Sequence, residues 1–156
     1  MNAARWQMAD EVTRALAAHR GVVALETTVV THGLPAPEGV QVARDMETAV
    51  TSAGAVPATI GILGGRVRVG LTAAELDELA ATPEVPKLNL SNFAAALLAG
   101  GTGSTTVAAT MLAAHHAGIG VFATGGIGGV HRNVSETDDV SADSSNGSLR
   151  RKRQRP

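Results

Sequence analysis

The feature that most constrains the fold is the run VVALETTVV, from Val22 to Val30. The run is rich in β-branched residues and nearly continuously apolar. It therefore lacks the alternation of apolar and polar residues that marks a strand with one solvent-exposed face. A strand of this kind is buried on both faces and needs helices above and below it. We therefore expect an α/β protein with a mostly parallel sheet covered by helices on both faces.

The rest of the chain alternates helical and strand patterns in the way this fold class requires. Helices are predicted from about Ala4 to His19 and from Glu38 to Ser52. ATIGIL and RVRVGL are expected to form a hairpin through Gly64-Gly65, followed by a helix that a Thr72–Glu75 capping box opens. KLNL is expected to be a short strand, and NFAAALLAG a helix capped by Ser91. GGTGSTTVAATMLAAHHAG is predicted to be a glycine-rich turn that leads into a long helix, and IGVFATGGIGGVHR a buried strand followed by a glycine-rich loop.

The composition limits what can hold such a fold together. Aromatic residues make up only 2% of the chain, so the core must consist of Ala, Val, Leu and Ile. There is no cysteine, which excludes disulfide frameworks and thiolate metal sites. The first residues lack the apolar core of a signal peptide, and no apolar stretch is long enough to span a bilayer. We expect a cytoplasmic protein with no membrane partner.

The net charge of −1 hides an asymmetry along the chain. Five of the 13 basic residues lie in the last seven positions, which leaves eight basic residues against 14 acidic ones in the rest. An acidic body gives no electrostatic footprint for nucleic acid, so no nucleic-acid partner is expected. Residues 144–156, SSNGSLRRKRQRP, show no periodicity and are predicted to be a disordered basic tail. Residues 1–143 are expected to form the domain, and we expect it to be truncated because strands and helices still alternate where it stops.

Two charged residues stand out as candidates for chemistry. Glu26 interrupts the apolar run, and burial disfavours a charged carboxylate, which suits a general acid. An acid at a strand end that reaches water or pairs with an arginine is the equally weighted alternative. Lys87 is the only lysine of the body and suits a phosphate or a sugar oxygen. A solvated surface lysine is the commoner outcome for any single lysine.

Three further segments have the composition of ligand loops. GTGSTTVAAT places small residues and hydroxyls where a helix starts, which favours an anion such as phosphate, although small residues also simply allow close packing. TGGIGGVHR places four glycines after a strand, where ligands of parallel sheets bind. The run ETDDVSAD supplies hard carboxylates suited to Mg²⁺ or Mn²⁺, or forms a solvated acidic loop. His32, beside a turn, has the chemistry for acid–base work.

Read together, these segments resemble the indigoidine-synthase-A-like family, whose members are pseudouridine-5′-phosphate glycosidases. The matching residues are ALETTVVTHGLPAPEGV, GAVPATIGIL, RVRVGL, STTVAATML, GIGVFATGGIGGVHR and VSAD, in family order, over roughly residues 22–143. The resemblance covers the N-terminal half of the family chain. It implies reversible cleavage of the C–C glycosidic bond of pseudouridine 5′-phosphate, to uracil and ribose 5-phosphate, with Mn²⁺ or another divalent metal and a family-like homotrimer.

The resemblance also implies roles for individual residues. Glu26 matches the family's proton donor, and Asp139 matches its metal ligand. The positions that match substrate contacts are Lys87, Val107, Ser141, Ala142 and Asp143. The family departs from this sequence after Lys87, where it usually has basic residues, and before Asp139, where it tends to have an aromatic residue.

In the family a lysine in a C-A-G-A-K-type segment, beyond the S-A-D run, attacks C1′ of the sugar and forms a Schiff base. This sequence has no such segment, and Lys152 lies among arginines, so the role does not transfer to it. Two alternatives to the glycosidase therefore stay open: an inactive truncated product, or a non-catalytic module that binds a sugar phosphate and a metal. A tail that contacts nucleic acid weakly ranks last.

Overall fold

The structure, a computed structural model, describes residues 5–34 and 37–126 of the 156-residue chain. The strands are β1 (Trp6–Met8), β2 (Val22–Leu25), β3 (Val56–Leu63), β4 (Arg66–Val69), β5 (Lys87–Leu88), β6 (Gly103–Thr105) and β7 (Val121–Ala123). The α-helices are α1 (Asp10–Ala17), α2 (Glu38–Ser52), α3 (Ala73–Ala81), α4 (Phe93–Ala99) and α5 (Val107–His116), and a π-helical turn covers Val29–Gly33.

All of these elements belong to one unit of the chain, Met1–Thr124, and a second unit is Gly125–Pro156. The boundary predicted between residues 143 and 144 lies outside the described residues. No helix within residues 5–34 and 37–126 is long and apolar enough to cross a bilayer.

The seven strands form one mixed sheet in which parallel pairing dominates. β1 pairs with β4, β2 with β3, β2 with β7 and β5 with β6, all in parallel. Two pairs, β3 with β4 and β3 with β6, are antiparallel. The predicted mostly parallel α/β sheet is therefore confirmed. β3 is the strand that has both parallel and antiparallel neighbours.

Helices cover both faces of the sheet, as the side chains of β3 show. Ala58, Ile60 and Ile62 lie in a core that also contains buried residues of α1, α4 and α5. A Cβ at the alternate position, Gly61, would contact Leu71 and Leu79, which belong to a second core with α2 and α3. Since successive residues of a strand point to opposite faces, the two cores lie on opposite sides of the sheet.

Several local predictions are confirmed in detail. α2 has the predicted bounds, Glu38–Ser52. Thr72 and Glu75 form the reciprocal capping box that opens α3. The β3–β4 hairpin closes through Gly64 and Gly65, which both have positive φ, as a type I′ turn requires.

Other predictions were wrong, and long-range pairing explains most of the differences. The helix predicted from Ala4 to His19 is interrupted because Trp6–Met8 pair as β1 with Val67–Val69. The strand predicted to reach Val30 ends at Leu25, where the pairing with β3 stops. A strand, β6, replaces part of the predicted glycine-rich turn, and Val121 of β7 is 57% exposed rather than buried.

Ser91 does not cap α4, contrary to the prediction. The N-cap is Asn92, whose side chain makes no capping bond. The Ser91 hydroxyl donates instead to Oδ1 of Asn89, which also accepts from the Ser91 N–H. Asn89 thus binds the Ser91 hydroxyl in a local turn, and the hydroxyl does not cap α4.

Candidate active site

The site is built where two strands run toward each other along the same edge of β3. β2 runs parallel to β3 and ends at the pair Leu25–Thr59. β6 runs antiparallel to β3 and pairs with it at Gly61 and Ile62. Both strands therefore end at the middle of β3, so the residues that follow them meet there.

A buried threonine network holds these strand ends together. The Thr27 hydroxyl donates to the Ile60 carbonyl (2.8 Å) and accepts the backbone N–H of Thr105 (2.9 Å). The Thr105 hydroxyl also donates to the Ile60 carbonyl (2.6 Å) and accepts from the Thr110 hydroxyl (2.9 Å). All three threonines are fully buried, and these bonds satisfy their hydroxyls. The network fixes the backbone on either side of Thr27, including Glu26.

Glu26 directly follows β2 and is partly buried. Its Oε2 accepts a hydrogen bond from the Thr28 hydroxyl, and its Oε1 accepts one from the Thr124 hydroxyl, both at 2.5 Å. Thr124 comes directly after β7, the other neighbour of β2, so the two hydroxyls approach from adjacent strand ends. The carboxylate is thus held in one orientation by hydroxyls. In the described part of the chain it pairs with no arginine.

Lys87 opens β5, which lies beside β6. Its side chain is exposed, and within residues 5–34 and 37–126 its ammonium group makes no ion pair or hydrogen bond. Its backbone carbonyl accepts the Asn92 side-chain amide (2.9 Å), which fixes the start of the strand. Lys87 therefore offers a positive charge to a ligand without first having to break a pair.

A chain of hydrogen bonds links the Lys87 strand to the π-helical turn. Lys87 is the register partner of Ser104, a fully buried residue of β6. The Thr31 hydroxyl donates to Ser104 Oγ (2.8 Å) and lies 2.6 Å from Nδ1 of His32. Burial, and secondarily the positive charge of Lys87, lower the pKa of His32 below its ordinary value of 6.5. A π-helical turn is a common device at functional sites, and here it presents His32.

The start of α5 lies beside these strand ends. Thr106 is the N-cap, but its hydroxyl donates to the Leu88 carbonyl (2.9 Å) rather than to the helix. Val107, the first residue of α5, is only 4% exposed, so its side chain packs in the core. Any contact between Val107 and a ligand would have to use its backbone, and the predicted substrate contact stays a prediction.

Of the predicted site residues, the structure brings Glu26, Lys87 and Val107 to the convergence of β2, β5, β6 and β7. The remaining predicted site residues lie outside the described residues: Asp139, Ser141, Ala142 and Asp143. The rest of the glycine loop beyond Gly126, with His131 and the acidic run, also lies outside them. Within the described residues, no group of three or more His, Asp or Glu side chains could hold a metal.

The functional residues that sequence reasoning missed are hydroxyls. Thr28 and Thr124 contact Glu26, and Thr31 contacts His32 and Ser104, but none of these four hydroxyl residues was singled out. A possible signal was that threonines directly follow Glu26 and that Thr124 directly follows a strand. Their pairing, however, depends on strand neighbours far apart in the sequence.

A shallow pocket of 170 Å³ lies elsewhere, between β1 and the end of α5. Its lining residues are Trp6, Gln7, Met8, Val69, His116 and Ala117. It contains none of the predicted site residues and no carboxylate, so we assign the candidate active site to the strand ends.

Comparison with known proteins shows which family the chain belongs to. The family model described as indigoidine synthase A like protein matches residues 11–150. The chain belongs to the indigoidine synthase A like family. The resemblance predicted from the sequence is therefore confirmed, and the match includes the segments that carry Glu26 and Lys87.

Curated relatives share a common name. The chain is 55% identical over 138 residues to a pseudouridine-5′-phosphate glycosidase of Paracoccus denitrificans, covering 87% of this chain and 45% of that protein. It is 53% identical over 133 residues to the enzyme of the same name from Roseobacter denitrificans, covering 85% and 43%. The chain thus spans less than half the length of these relatives.

Two solved structures share the fold with a TM-score of 0.75 each. One is the prealnumycin C-glycosynthase AlnA in complex with ribulose 5-phosphate, at 46% identity, covering 88% of this chain and 44% of that one. The other is an indigoidine synthase A-like protein from Thermotoga maritima, at 31% identity, covering 90% and 44%.

Proposed function

We propose that this chain supplies the proton-donating and phosphate-binding side chains of a site that cleaves the C–C glycosidic bond of pseudouridine 5′-phosphate. The observation that carries the proposal is the Glu26 carboxylate, fixed by two hydroxyls at the point where strand ends converge. The name shared by the curated relatives supports this substrate, and the sugar phosphate bound by AlnA supports its chemical class.

The reaction requires a proton at a carbon atom of the base. The bond between C1′ of the ribose and C5 of uracil breaks, C5 gains a proton, and C1′ ends with a hydroxyl group from water. Glu26 is the proposed donor of that proton and regains one from water. A general acid must hold its proton in a defined direction toward the reacting atom, which the two threonine contacts provide.

The hydroxyl partners suit both protonation states of Glu26. A threonine hydroxyl can donate or accept by rotating about its C–O bond. Thr28 and Thr124 donate to the carboxylate, as observed. When Glu26 carries a proton, the hydroxyl beside the protonated oxygen can turn and accept it, so the carboxyl group keeps a hydrogen-bond partner in either state.

Lys87 is the proposed partner of the 5′-phosphate. Its exposed ammonium group has no partner among the described residues, and a compact ammonium charge is a common ligand of phosphate. The nearby start of α5 adds the positive end of a helix dipole. The proposed substrate therefore lies with its phosphate toward β5 and its base toward Glu26.

The metal and the oligomer remain predictions. Mn²⁺ held by Asp139 is a proposal that rests on the family resemblance alone, because the described residues form no metal-binding group of their own. The homotrimer, and the substrate contacts of Ser141, Ala142 and Asp143, have the same status.

A second candidate is a module that binds a sugar phosphate without turnover. The observation that favours it is the lysine content: the chain has two lysines, Lys87 and Lys152, and Lys152 lies within an arginine-rich stretch. The Schiff base that the family resemblance implies needs a lysine at the sugar carbon. If Lys87 binds the phosphate, that amine has no evident source in this sequence.

A turnover assay separates the two candidates. The intact chain is incubated with pseudouridine 5′-phosphate and Mn²⁺, and uracil is followed by chromatography. The Glu26→Gln variant, which keeps the shape of the side chain but has no acidic proton, should abolish uracil release, whereas Glu11→Gln on the exposed face of α1 should not. Substrate binding without uracil supports the binding module. Absence of both binding and release contradicts both candidates.

A further inference from the structure

The hydrogen bonds around Thr31 determine where the proton of His32 lies. A hydroxyl group has one proton, and Thr31 donates it to Ser104 Oγ. The 2.6 Å contact between Thr31 Oγ1 and His32 Nδ1 therefore needs the proton of the imidazole. Nδ1 must carry it, and in the neutral ring Nε2 is then a bare acceptor.

The acceptor Nε2 is available to a ligand. His32 is an exposed residue, and within residues 5–34 and 37–126 the only hydrogen bond of its ring is the one from Nδ1 to Thr31. Partial burial of the ring and the charge of Lys87 lower its pKa below 6.5, so the ring is neutral at neutral pH. The other end of the chain of contacts, Ser104, is fully buried, so the ring is anchored to the core of the sheet.

Lys87 and this acceptor lie on the same side of the sheet. Paired residues on neighbouring strands present their side chains on one face, and Lys87 pairs with Ser104, the anchor of Thr31 and His32. The face therefore combines a cation with a neutral hydrogen-bond acceptor. The dianion of a phosphate monoester has no proton to offer that acceptor, but a sugar hydroxyl has one.

We propose that His32 selects the sugar part of the ligand: its Nε2 accepts a hydrogen bond from a hydroxyl of a sugar monophosphate whose phosphate pairs with Lys87. This inference rests on the proposed function and adds a specificity residue to it. A site built to accept from a hydroxyl discriminates against ligands that lack one, because the acceptor then stays unpaired. The site should prefer a phosphorylated sugar over sulfate, an anion of similar shape to phosphate that carries no proton at neutral pH.

The tautomer can be measured without any ligand. Long-range ¹⁵N–¹H correlation spectra of the intact chain report which imidazole nitrogen carries the proton, and the His32→Gln variant assigns the signal. We expect the Nδ1–H form of His32, and we expect Thr31→Val, which removes the acceptor, to lose that preference. A His32 ring protonated at Nε2 in the intact chain would overturn the inference.

Binding of ribose 5-phosphate and of sulfate at neutral pH then tests the role. His32→Phe should weaken binding of ribose 5-phosphate roughly 2- to 10-fold, the effect of one neutral hydrogen bond, and leave binding of sulfate unchanged. Lys87→Met should weaken both ligands. If Lys87→Met acts as expected but His32→Phe changes neither ligand, the inference about His32 is wrong and the proposed function stands. If the intact chain binds no ribose 5-phosphate, both are wrong.

Discussion

Replacing Thr27 by valine tests whether the buried threonine network holds the site together. Valine has nearly the shape of threonine, so the substitution removes a hydroxyl without opening a cavity. The Ile60 carbonyl keeps its second donor, the Thr105 hydroxyl. The backbone N–H of Thr105, however, loses the hydroxyl it donates to, in a place where both residues are fully buried.

The expected loss of stability follows from that orphaned N–H group. A buried donor left without an acceptor costs about 1–3 kcal/mol, so the free energy of unfolding of Thr27→Val should fall by about 2 kcal/mol. The matched control is Thr48→Val on the exposed side of α2, where the hydroxyl donates only to a carbonyl one turn earlier. A surface change of this kind should stay within about 0.5 kcal/mol.

Urea unfolding of both variants and the parent, followed by far-UV circular dichroism, measures the difference. Equal slopes of the unfolding curves would show that the comparison concerns stability alone. If Thr27→Val and Thr48→Val shift the midpoint equally, the network does not hold the strand ends, and the reasoning that places Glu26 through it is refuted.

Three further predictions concern stability. Glu75→Ala removes the capping box of α3 and the 2.5 Å ion pair with Arg68, so it should lower the free energy of unfolding by at least about 1 kcal/mol. The control, Glu78→Ala at an exposed position of the same helix, should change the free energy of unfolding little. Equal effects of the two substitutions in urea unfolding would contradict this prediction. Gly65→Ala should destabilise the protein by more than about 1 kcal/mol, because φ of Gly65 is +70° and a Cβ there would lie 2.6 Å from Cα of Gly100. Gly64→Ala should destabilise it less, because a Cβ at Gly64 would have no neighbour within 4 Å. Thermal unfolding that ranks the two variants the other way would contradict this packing difference. The pKa of His32 is lower in the folded chain than its unfolded value of 6.5, so the unfolded chain binds this proton more readily and folding loses stability as the pH falls below about 6.5. Between about pH 7.5 and 5.5, urea unfolding should therefore show a larger loss of stability for the parent than for His32→Gln. An equal loss in both would contradict the prediction.

The parts of the fold that the sequence predicted are those decided by neighbouring residues. The capping box needs only Thr72 and Glu75, three positions apart, and the hairpin needs only two glycines between apolar strands. The bounds of α2 follow from its own periodicity. Each of these signals is complete within a few residues, and the long-range pairing of the chain leaves it in place.

The parts that the sequence did not predict depend on distant partners. Trp6 fits the apolar stripe of a helix, but its pairing with Val67 makes it part of a strand. Gly103–Thr105 have little intrinsic preference for a strand and become one because β3 and β5 lie on either side. The same holds for the site: Glu26 was found as an acid in an apolar run, whereas its partner Thr124 lies 98 positions away.

Lys87 and the strand ends around it are proposed to bind a sugar phosphate, and calorimetry can measure this binding. Ribose 5-phosphate is titrated into the intact chain, into Lys87→Met and into Arg14→Gln on the exposed face of α1. A hydrogen bond to a charged group contributes about 1.5–3 kcal/mol, so Lys87→Met should weaken binding about 10- to 100-fold while Arg14→Gln leaves it unchanged. Equal affinity of Lys87→Met and the parent, or equal losses in both variants, would contradict the proposed binding site.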